Sequence, residues 1–347
     1  MLKIGRKLRN FINVCLLAAA VLGVSACAGK DIVITTGFEK NELMRINNKT
    51  CYLPEMMLYL TTVQNQYEDV YGPELWSQSH NGESLEKRVK DMVLAKIAQV
   101  KVMNLMAESY GLTLNDKETD AVKRASEAFF ESLNDREKEV LKVTQADIVE
   151  FYSEYALADK VYEYVIRDIN PEISDDEART ISVQSILIKT YTRDARGNRI
   201  EYSERTVKEA AEKARLVRDL AVSGEDSFEA LCAKYNEGDE TTYTFKRGEM
   251  EEAVEDVAFS LDKDEISDVF ETSEGYMILK CVSDFDIDET QLNKVEILAA
   301  RKEAVFDETY DEFLKGLSKT LNEKLYESII MIHDPEVTTR TFFEVEF

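Results

Sequence analysis

The stretch ISVQSILI at positions 181–188 marks a change in the hydrophobic period of this chain. Its β-branched residues are typical of a strand, whereas the sequence before Ser174 follows a helical period. The segment DARGN at 194–198 then has the composition of a hairpin tip. The chain therefore changes from an all-helical region to a mixed one near residue 174.

The residues that follow this strand predict alternating short helices and strands. After the hairpin the predicted elements are a helix at 207–220 ended by Gly224, a helix at 228–235, a strand near 242–245, a helix at 251–259 and a strand near 276–282. This order indicates a compact α+β unit of about a hundred residues.

The flanking regions have the apolar spacing of helices. The predicted helices run over 84–110 before Gly111, from Asn115 or Asp116 to Leu133, from the capping-box spacing at Thr144 to Pro171, and over 291–332. The amphipathic helix at 291–332 needs a partner to cover its apolar face. The final residues, 338–347, alternate weakly and predict either a strand or an added apolar lip.

The amino terminus has the three zones of a lipoprotein export signal. A basic start is followed by an apolar run from Phe11 to Val24, and the sequence VSAC at 24–27 then places small residues before a cysteine. We expect cleavage before Cys27 and lipidation of its thiol, so that residues 1–26 are a signal peptide. An uncleaved signal anchor is the alternative. Either way the rest of the chain is extracytoplasmic, and lipidated Cys27 holds it on the outer face of the cell membrane.

The charge of the chain restricts its partners. Loss of the leader, which holds four cationic residues and no acids, takes the formal net charge from −25 to −29. Nucleic acid and anionic membrane surfaces carry the same sign of charge, so neither is expected to bind. Basic or unfolded polypeptides are better partners.

Cysteine and histidine offer little chemistry in this sequence. Cys51, Cys232 and Cys281 have no CxxC or metal-type spacing, and they are either free thiols or include a single bridge such as Cys232 to Cys281. His80 and His333 lie in separate polar stretches, where solvated side chains are expected. Neither suits a catalytic triad or a zinc site. No metal or cofactor is predicted.

One acidic run deserves comparison with calcium sites. Asp286, Asp288 and Glu289 supply carboxylates, but the run lacks the glycine and the terminal glutamate of an EF-hand loop. A solvated charge run is the interpretation that we adopt.

Several motifs in the 174–284 unit resemble the parvulin-type (PpiC, rotamase) peptidyl-prolyl isomerase domain. They are VQSILIK at 183–189, FKRGEM at 245–250, AFSL at 258–261, EIS at 265–267 and GYMILK at 275–280. The preceding helical segment NLMAESYGL at 104–112 is similar to the helical chaperone half of the PrsA and SurA foldases.

The resemblance implies an α+β protein in which a parvulin-like domain is inserted into a helical chaperone domain. On this interpretation residues 27–172 form the helical part, 174–284 form the parvulin-like domain, and a C-terminal helix within 285–347 returns to the helical part. Such a protein would act on unfolded or partly folded exported polypeptides, and a homodimer is compatible with this interpretation.

The sequence departs from the parvulin pattern at the prolyl site. The two positions that are usually histidine are Ser185 and Met277. The usual Gly-Gly-Asp-Leu-Gly stretch is replaced by residues 239–243, which puts Thr242 at the position of a pocket leucine, and the pocket aromatic is Val254. Met250 and Thr272 match the family, and Glu237 lies near its acidic or thiol position.

These departures predict a weak or absent isomerase. The reaction must lower an amide rotation barrier of about 18–20 kcal/mol, and the site does so only by favouring the twisted amide over both planar forms. Thr242 and Val254 reduce the apolar surface of the pocket, and Ser185 and Met277 remove its paired imidazoles. No residue is assigned as catalytic. The residual prolyl site comprises Ser185, Glu237, Thr242, Met250, Val254, Thr272 and Met277.

Two alternatives stay open at this point. The first is an active prolyl isomerase whose pocket tolerates these substitutions, and proline-dependent acceleration would identify it. The second is a surface lipoprotein that binds one specific folded partner, and it would not protect unrelated unfolded clients.

Overall fold

A computed structural model describes residues 37–80 and 82–345 of the chain. The predicted signal peptide and Cys27 lie outside these residues. The chain forms two compact units, one from residues 169–303 and the other from the described residues on either side of that insertion. Mixed helix and strand content and an inserted unit confirm the predicted α+β class. No helix within the described ranges is both long enough and apolar enough to cross a membrane.

The first unit begins with a small sheet that the sequence pattern does not predict. Strands β1 (Glu42–Ile46) and β2 (Lys49–Tyr52) form a hairpin, and β1 also pairs with β11 (Lys319–Leu321), which comes from the far end of the chain. All pairings are antiparallel. The sheet therefore joins the two flanking segments of the chain through backbone hydrogen bonds.

Helices make up most of the first unit, and their ends follow local signals. They are α1 (Leu53–Tyr71), α2 (Leu85–Tyr110), α3 (Asp116–Ser132), α4 (Asp135–Leu141) and α5 (Gln145–Ile166). Asn115, Asn134 and Thr144 each form a capping box, and Gly111 ends α2 with φ 67°. Helices α1 and α4 are not predicted from the sequence. A minimal ladder of β3 (Ser79–His80) and β4 (Glu83–Ser84) precedes α2.

The predicted long C-terminal helix over 291–332 is wrong in its second half. Helix α10 (Ile287–Leu314) ends early, and β11 and a short helix α11 (Glu323–Glu327) follow it. The apolar residues keep a helical spacing past residue 314. The backbone of 319–321 nevertheless forms its hydrogen bonds with β1 and not within a helix. Asn322 then caps α11 by accepting from the Leu325 amide at 3.2 Å.

The final residues pack into the first unit without forming a strand in the described part of 338–347. Phe342 is buried, and its ring centroid lies 4.9 Å from that of Tyr152 and 5.3 Å from that of Phe129. The Tyr152 hydroxyl donates to the Phe342 carbonyl at 3.0 Å. One carboxylate oxygen of Glu137 accepts from the amides of Thr338 and Thr339, each at 2.7 Å. Phe342 is therefore a core residue, and neither of the two predicted forms describes the segment that carries it.

A buried ionic cluster joins three helices of the first unit. Lys101 on α2 lies 3.0 Å from Glu55 on α1 and 2.6 Å from Glu154 on α5, measured from Nζ to Oε2. Two carboxylates thus face one ammonium group. The second oxygen of Glu55 is buried and has no hydrogen-bond partner among the described residues. Burial, with the Glu154 carboxylate adding to it, raises the pKa of Glu55 to about 7 against the pull of Lys101.

The second unit is built on a four-stranded antiparallel sheet. Its strands are β5 (Thr180–Lys189), β8 (Thr242–Lys246), β9 (Phe270–Thr272) and β10 (Gly275–Ser283), in the spatial order β8-β5-β10-β9. The predicted hairpin forms from β6 (Tyr191–Arg193) and β7 (Arg199–Glu201). The helices of the unit are α6 (Asp175–Ala178), α7 (Glu204–Ser223), α8 (Phe228–Tyr235), α9 (Glu252–Ala258) and the first part of α10.

The two faces of this sheet are covered differently. Ile186, Ile188 and Ile278 pack against α7 and α8 in one apolar cluster. Val183, Leu279 and Cys281 point to the opposite face, where α9 packs. We call this second surface the α9 face. Successive side chains along β5 and β10 point alternately to these two faces of the sheet.

The cysteines and the described histidine side chain have no chemical partners that suggest a site. All three described cysteines are buried free thiols. Cys232 packs in the cluster with α7 and α8, whereas Cys281 belongs to the α9 face, so the bridge between them does not form. His333 is exposed.

We expect the stability of the first unit to fall as pH rises from about 4.5 to about 7. The folded pKa of Glu55 lies above its ordinary value of 4.5, so its proton stabilises the fold at low pH and that contribution is lost as pH passes 7. The loss is about 3 kcal/mol. Glu55→Gln keeps the site neutral, so its unfolding free energy relative to wild type should rise by this amount between about pH 5 and pH 8.

Fluorescence of Trp76, the one tryptophan of the sequence, follows unfolding of this unit in urea. Glu127→Gln, at an exposed position of α3, is the matched control and should show no such rise. A difference between Glu55→Gln and wild type that stays flat with pH would contradict the protonation of Glu55.

Candidate functional site

The two positions that replace the family histidines lie on the α9 face of the sheet. Ser185 on β5 pairs with Leu279 on β10, and Met277 pairs with Leu187 and with Phe270 on β9. Paired residues of an antiparallel ladder point to the same face. Ser185 and Met277 are therefore on the side of the sheet that α7 and α8 leave uncovered.

Three of the predicted residues meet in one apolar cluster. Val254 is buried on α9, and Met250 and Met277 are partly buried against the same cluster. Tyr243 and Phe270 also pack there, although the sequence pattern did not identify them. Their aromatic character was the available signal, but only the register of β8 and β9 shows which face they are on.

Thr242 does not contribute to this cluster. It pairs with Gln184, whereas its neighbour Tyr243 pairs with Val183, so Thr242 points away from the α9 face and is exposed. The sequence alignment with the Gly-Gly-Asp-Leu-Gly stretch placed Thr242 in the pocket. Strand alternation puts Tyr243, at the last glycine position of that stretch, on the site face instead.

Glu237 has its carboxylate occupied at the edge of β5. One oxygen accepts from the Lys189 amide at 2.8 Å, and the other accepts from the Lys213 ammonium group on α7. The Glu237 amide in turn donates to the Leu187 carbonyl at 2.9 Å. These bonds hold the segment after α8 against β5, which is a structural role.

Thr272 stabilises the turn between β9 and β10. Its hydroxyl donates to the Gly275 carbonyl at 3.0 Å and accepts from the Glu274 amide at 3.3 Å. The carboxylate of Glu251 accepts from the Ser273 amide and hydroxyl, each at 2.9 Å. The turn is therefore fixed from both sides, and it sets the position of Met277 on β10.

The turn that carries Met250 is held by one carboxylate. A Glu255 oxygen on α9 accepts from the amides of Gly248 at 2.7 Å and Met250 at 2.9 Å. Gly248 has φ 89°, a conformation that side chains with a Cβ rarely adopt. This turn presents the Met250 thioether to the apolar cluster.

Ser185 is buried and its backbone is fully engaged. Its amide donates to the Thr241 carbonyl at 2.9 Å, and its carbonyl accepts from the Cys232 thiol at 3.4 Å. Burial raises the pKa of the Tyr243 phenol, and a hydrogen bond with the Ser185 side chain opposes that rise. The phenol is therefore protonated at neutral pH and able to donate.

The site thus offers apolar surface with few polar groups. A methionine thioether cannot donate a hydrogen bond, and a serine hydroxyl is a smaller and more weakly basic group than imidazole. The described residues hold no cluster of three or more metal-ligating side chains, and the Asp286 carboxylate caps α10 by accepting from the Glu289 amide at 3.0 Å. Binding of an apolar ring is the chemistry that this arrangement supports.

The fold and this site define a class of domain. Residues 186–283 match the family model described as "Rotamase: PPIC-type PPIASE domain", and this part of the chain is a parvulin-type domain. The predicted resemblance is confirmed.

The chain as a whole is similar to PrsA foldases. The foldase protein PrsA of Caldanaerobacter subterraneus subsp. tengcongensis is 26% identical over 317 residues, which cover 86% of this chain and 92% of the relative. PrsA of Clostridium tetani is 24% identical over 350 residues, covering 91% and 96%. The crystal structure of PrsA from Bacillus cereus is 18% identical, covers 77% of this chain and 96% of its own, and has a TM-score of 0.34.

We expect Gly275→Ala to disrupt the β9–β10 hairpin. Gly275 has φ 142°, and a Cβ there would lie 2.3 Å from the Ile188 carbonyl oxygen. That contact involves backbone, so the strand itself must move, at an expected cost above about 3 kcal/mol. Gly224→Ala is the control. Gly224 also has a positive φ, 73°, but a Cβ added there would meet no atom within 4 Å. This substitution should cost about 1 kcal/mol.

Thermal unfolding of the two variants gives the comparison, and methionine methyl NMR reports whether Met277 has moved. Equal losses in both variants would contradict a role for the close approach to Ile188.

Proposed function

We propose that this protein is a lipid-anchored extracytoplasmic foldase that assists exported polypeptides, and that its prolyl isomerase activity is weak or absent. Similarity to PrsA foldases along most of the chain is the observation that carries the proposal. The parvulin-type domain supports it, and so does the export signal that ends at Cys27. The acidic mature chain favours basic and unfolded clients over the anionic cell envelope.

The low isomerase activity follows from the groups on the α9 face. Only interactions that are stronger in the twisted amide than in the planar forms lower the barrier of about 18–20 kcal/mol. Ser185 is buried and Met277 lacks a donor, so the imidazole pair has no direct replacement at these two positions. Val254 is covered by the apolar cluster and offers no aromatic wall.

The helical unit supplies surface on which a client chain can be held. Val70 and Tyr71, near the end of α1, are about seven-tenths exposed. The Tyr67 ring lies between those of Tyr71 and Trp76, and its centroid is 6.2 Å from each of theirs. Exposed apolar patches of this kind commonly bind other polypeptides.

We expect the soluble chain with Cys27→Ala to suppress aggregation of unrelated unfolded proteins. The same protein should give no measurable acceleration of cis/trans exchange in proline peptides at catalytic concentration, because the imidazole pair is missing. Exchange spectroscopy by NMR, beside a parvulin that retains both histidines, makes the measurement. Exchange comparable to that parvulin would identify an active isomerase with a non-standard pocket.

Aggregation assays distinguish a foldase from the remaining alternative, a lipoprotein that binds one specific folded partner. Saturable binding to one folded protein, with no protection of unrelated clients, would indicate a specific binding lipoprotein and would contradict the foldase proposal.

The lipid anchor has its own test. Cells that express the full chain should incorporate labelled palmitate into it, and Cys27→Ala should abolish the label because no other leader thiol follows small residues. Cys15→Ala is the matched control within the leader. Label that survives Cys27→Ala would contradict this anchor.

A further inference from the structure

Residues 329–340 lie along the first unit as an irregular segment, and this described range contains no helix or strand. We call this segment the C-terminal strap. Ile329 and Met331 are buried near its start, and Val337 and Thr339 are buried near its end, whereas the residue inside each pair is exposed. A period of two is typical of an extended chain. The strap therefore lies on the helices as two extended arms.

Consecutive side chains of α1 bind the main chain of the strap. The Gln64 amide group donates to the Ile332 carbonyl at 2.8 Å and accepts from the Ile332 amide at 3.1 Å, so that it pairs with both backbone groups of one residue. Asn65 donates to the carbonyls of Val337 at 3.1 Å and Thr339 at 2.8 Å. A neighbouring β-strand would satisfy the same groups. Here side chains of a helix take its place.

The same pattern continues beyond these two residues of α1. Glu137 on α4 accepts from the amides of Thr338 and Thr339, each at 2.7 Å. Three more side chains donate to strap carbonyls: Gln66 to Arg340 at 2.7 Å, Asn134 to Glu336 at 2.8 Å and Lys90 to Ile329 at 2.6 Å. We call these six side chains the strap site. All of these contacts are to N–H or C=O groups, which other polypeptide segments also carry. The strap site therefore selects an extended backbone rather than a particular sequence.

The strap is anchored at both ends by other contacts. Before it, Tyr326 of α11 donates to the Asp91 carboxylate on α2. After it, Phe342 is buried among aromatic rings of the first unit. Hydrogen bonds between side chains and backbone contribute little net stability, because water replaces them when they break. Segments held in this way open locally below the free energy of global unfolding. The strap can thus leave its site while α11 and Phe342 stay in place.

We propose that the strap site binds extended segments of client polypeptides, and that the C-terminal strap occupies this site as an internal competitor. A client segment with apolar side chains at alternate positions takes the place of the strap and its backbone hydrogen bonds. A tethered segment has an effective concentration on the order of 1 mM, so the strap excludes weakly binding segments. This inference rests on the proposed function, because unfolded exported chains are what supply such segments.

Methionine methyl NMR tests the displacement, since Met331 lies within the strap. The probe is an acetylated peptide amide that copies residues 329–340, added to the Cys27→Ala chain. We expect saturating peptide to move the Met331 signal to the position of a solvent-exposed methionine. The signal of Met106, which is fully buried on α2, should not move.

Two methylated copies of the peptide test recognition of the main chain. A methyl group on the Thr339 amide nitrogen removes a donor to Glu137 and should weaken binding about tenfold. A methyl group on the Ile330 amide nitrogen is the matched control, because that amide donates to no described residue. This second copy should stay within about threefold of the unmodified peptide.

Variants of the chain assign the binding to the strap site. Val337→Ala loosens the strap, and it should tighten peptide binding about tenfold because apparent affinity scales with the open fraction. Thr341→Ala, at an exposed position outside the strap, is its control. In the Val337→Ala chain, Asn65→Leu should weaken binding about tenfold, whereas Gln145→Leu, at an exposed amide on α5, should have no effect. Trp76 fluorescence checks that each variant is folded, and the Met331 signal of the Cys27→Ala chain keeps the test valid where a variant is not.

Three results would overturn the proposal. They are an unmoved Met331 signal at saturating peptide, equal binding of the two methylated peptides, and equal affinities in Val337→Ala and Thr341→Ala. Suppression of aggregation without displacement of the strap would reject this site and leave the foldase function standing. Displacement of the strap without suppression of aggregation would do the reverse.

Discussion

The pairing of β5 with β10 is the constraint on which the second unit depends. Each strand sends alternate residues to two faces, so that Ile186 and Ile278 meet α7 and α8 while Ser185 and Leu279 meet the α9 face. A slip of one residue would exchange these sets and bury the site beneath the helices. In the observed register Gly275 lies so close to β5 that a Cβ there would be 2.3 Å from the Ile188 carbonyl oxygen.

Sequence periodicity predicted helices α2, α3 and α5 of the first unit, but it missed α1 and α4. The start and stop of α2 and the caps of α3 and α5 depend on neighbouring residues such as Gly111 and Thr144, and the structure agrees with them. The strands β1, β2 and β11 were not predicted, because they are three to five residues long and one pairing joins Met44 to Leu321. The same distant pairing explains why α10 was predicted too long.

The candidate site shows the same division between local and distant information. Motif spacing drew attention to Met250, Val254 and Met277, and the fold brings these three side chains into one apolar cluster. Spacing could not distinguish Thr242 from Tyr243, since adjacent strand residues differ only in the face to which they point. Nor could it show that the Glu237 and Thr272 oxygens are already used in backbone hydrogen bonds.

The burial of Phe342 has a consequence for the order in which this protein is assembled. The inserted unit is one continuous segment, so a chain that emerges amino end first can complete it early. The first unit needs Phe342 against Tyr152 and β11 beside β1, so it stays unfinished until residue 342 has emerged. During that interval its apolar helix faces are uncovered, and the emerging chain is itself in the condition of an unfolded client.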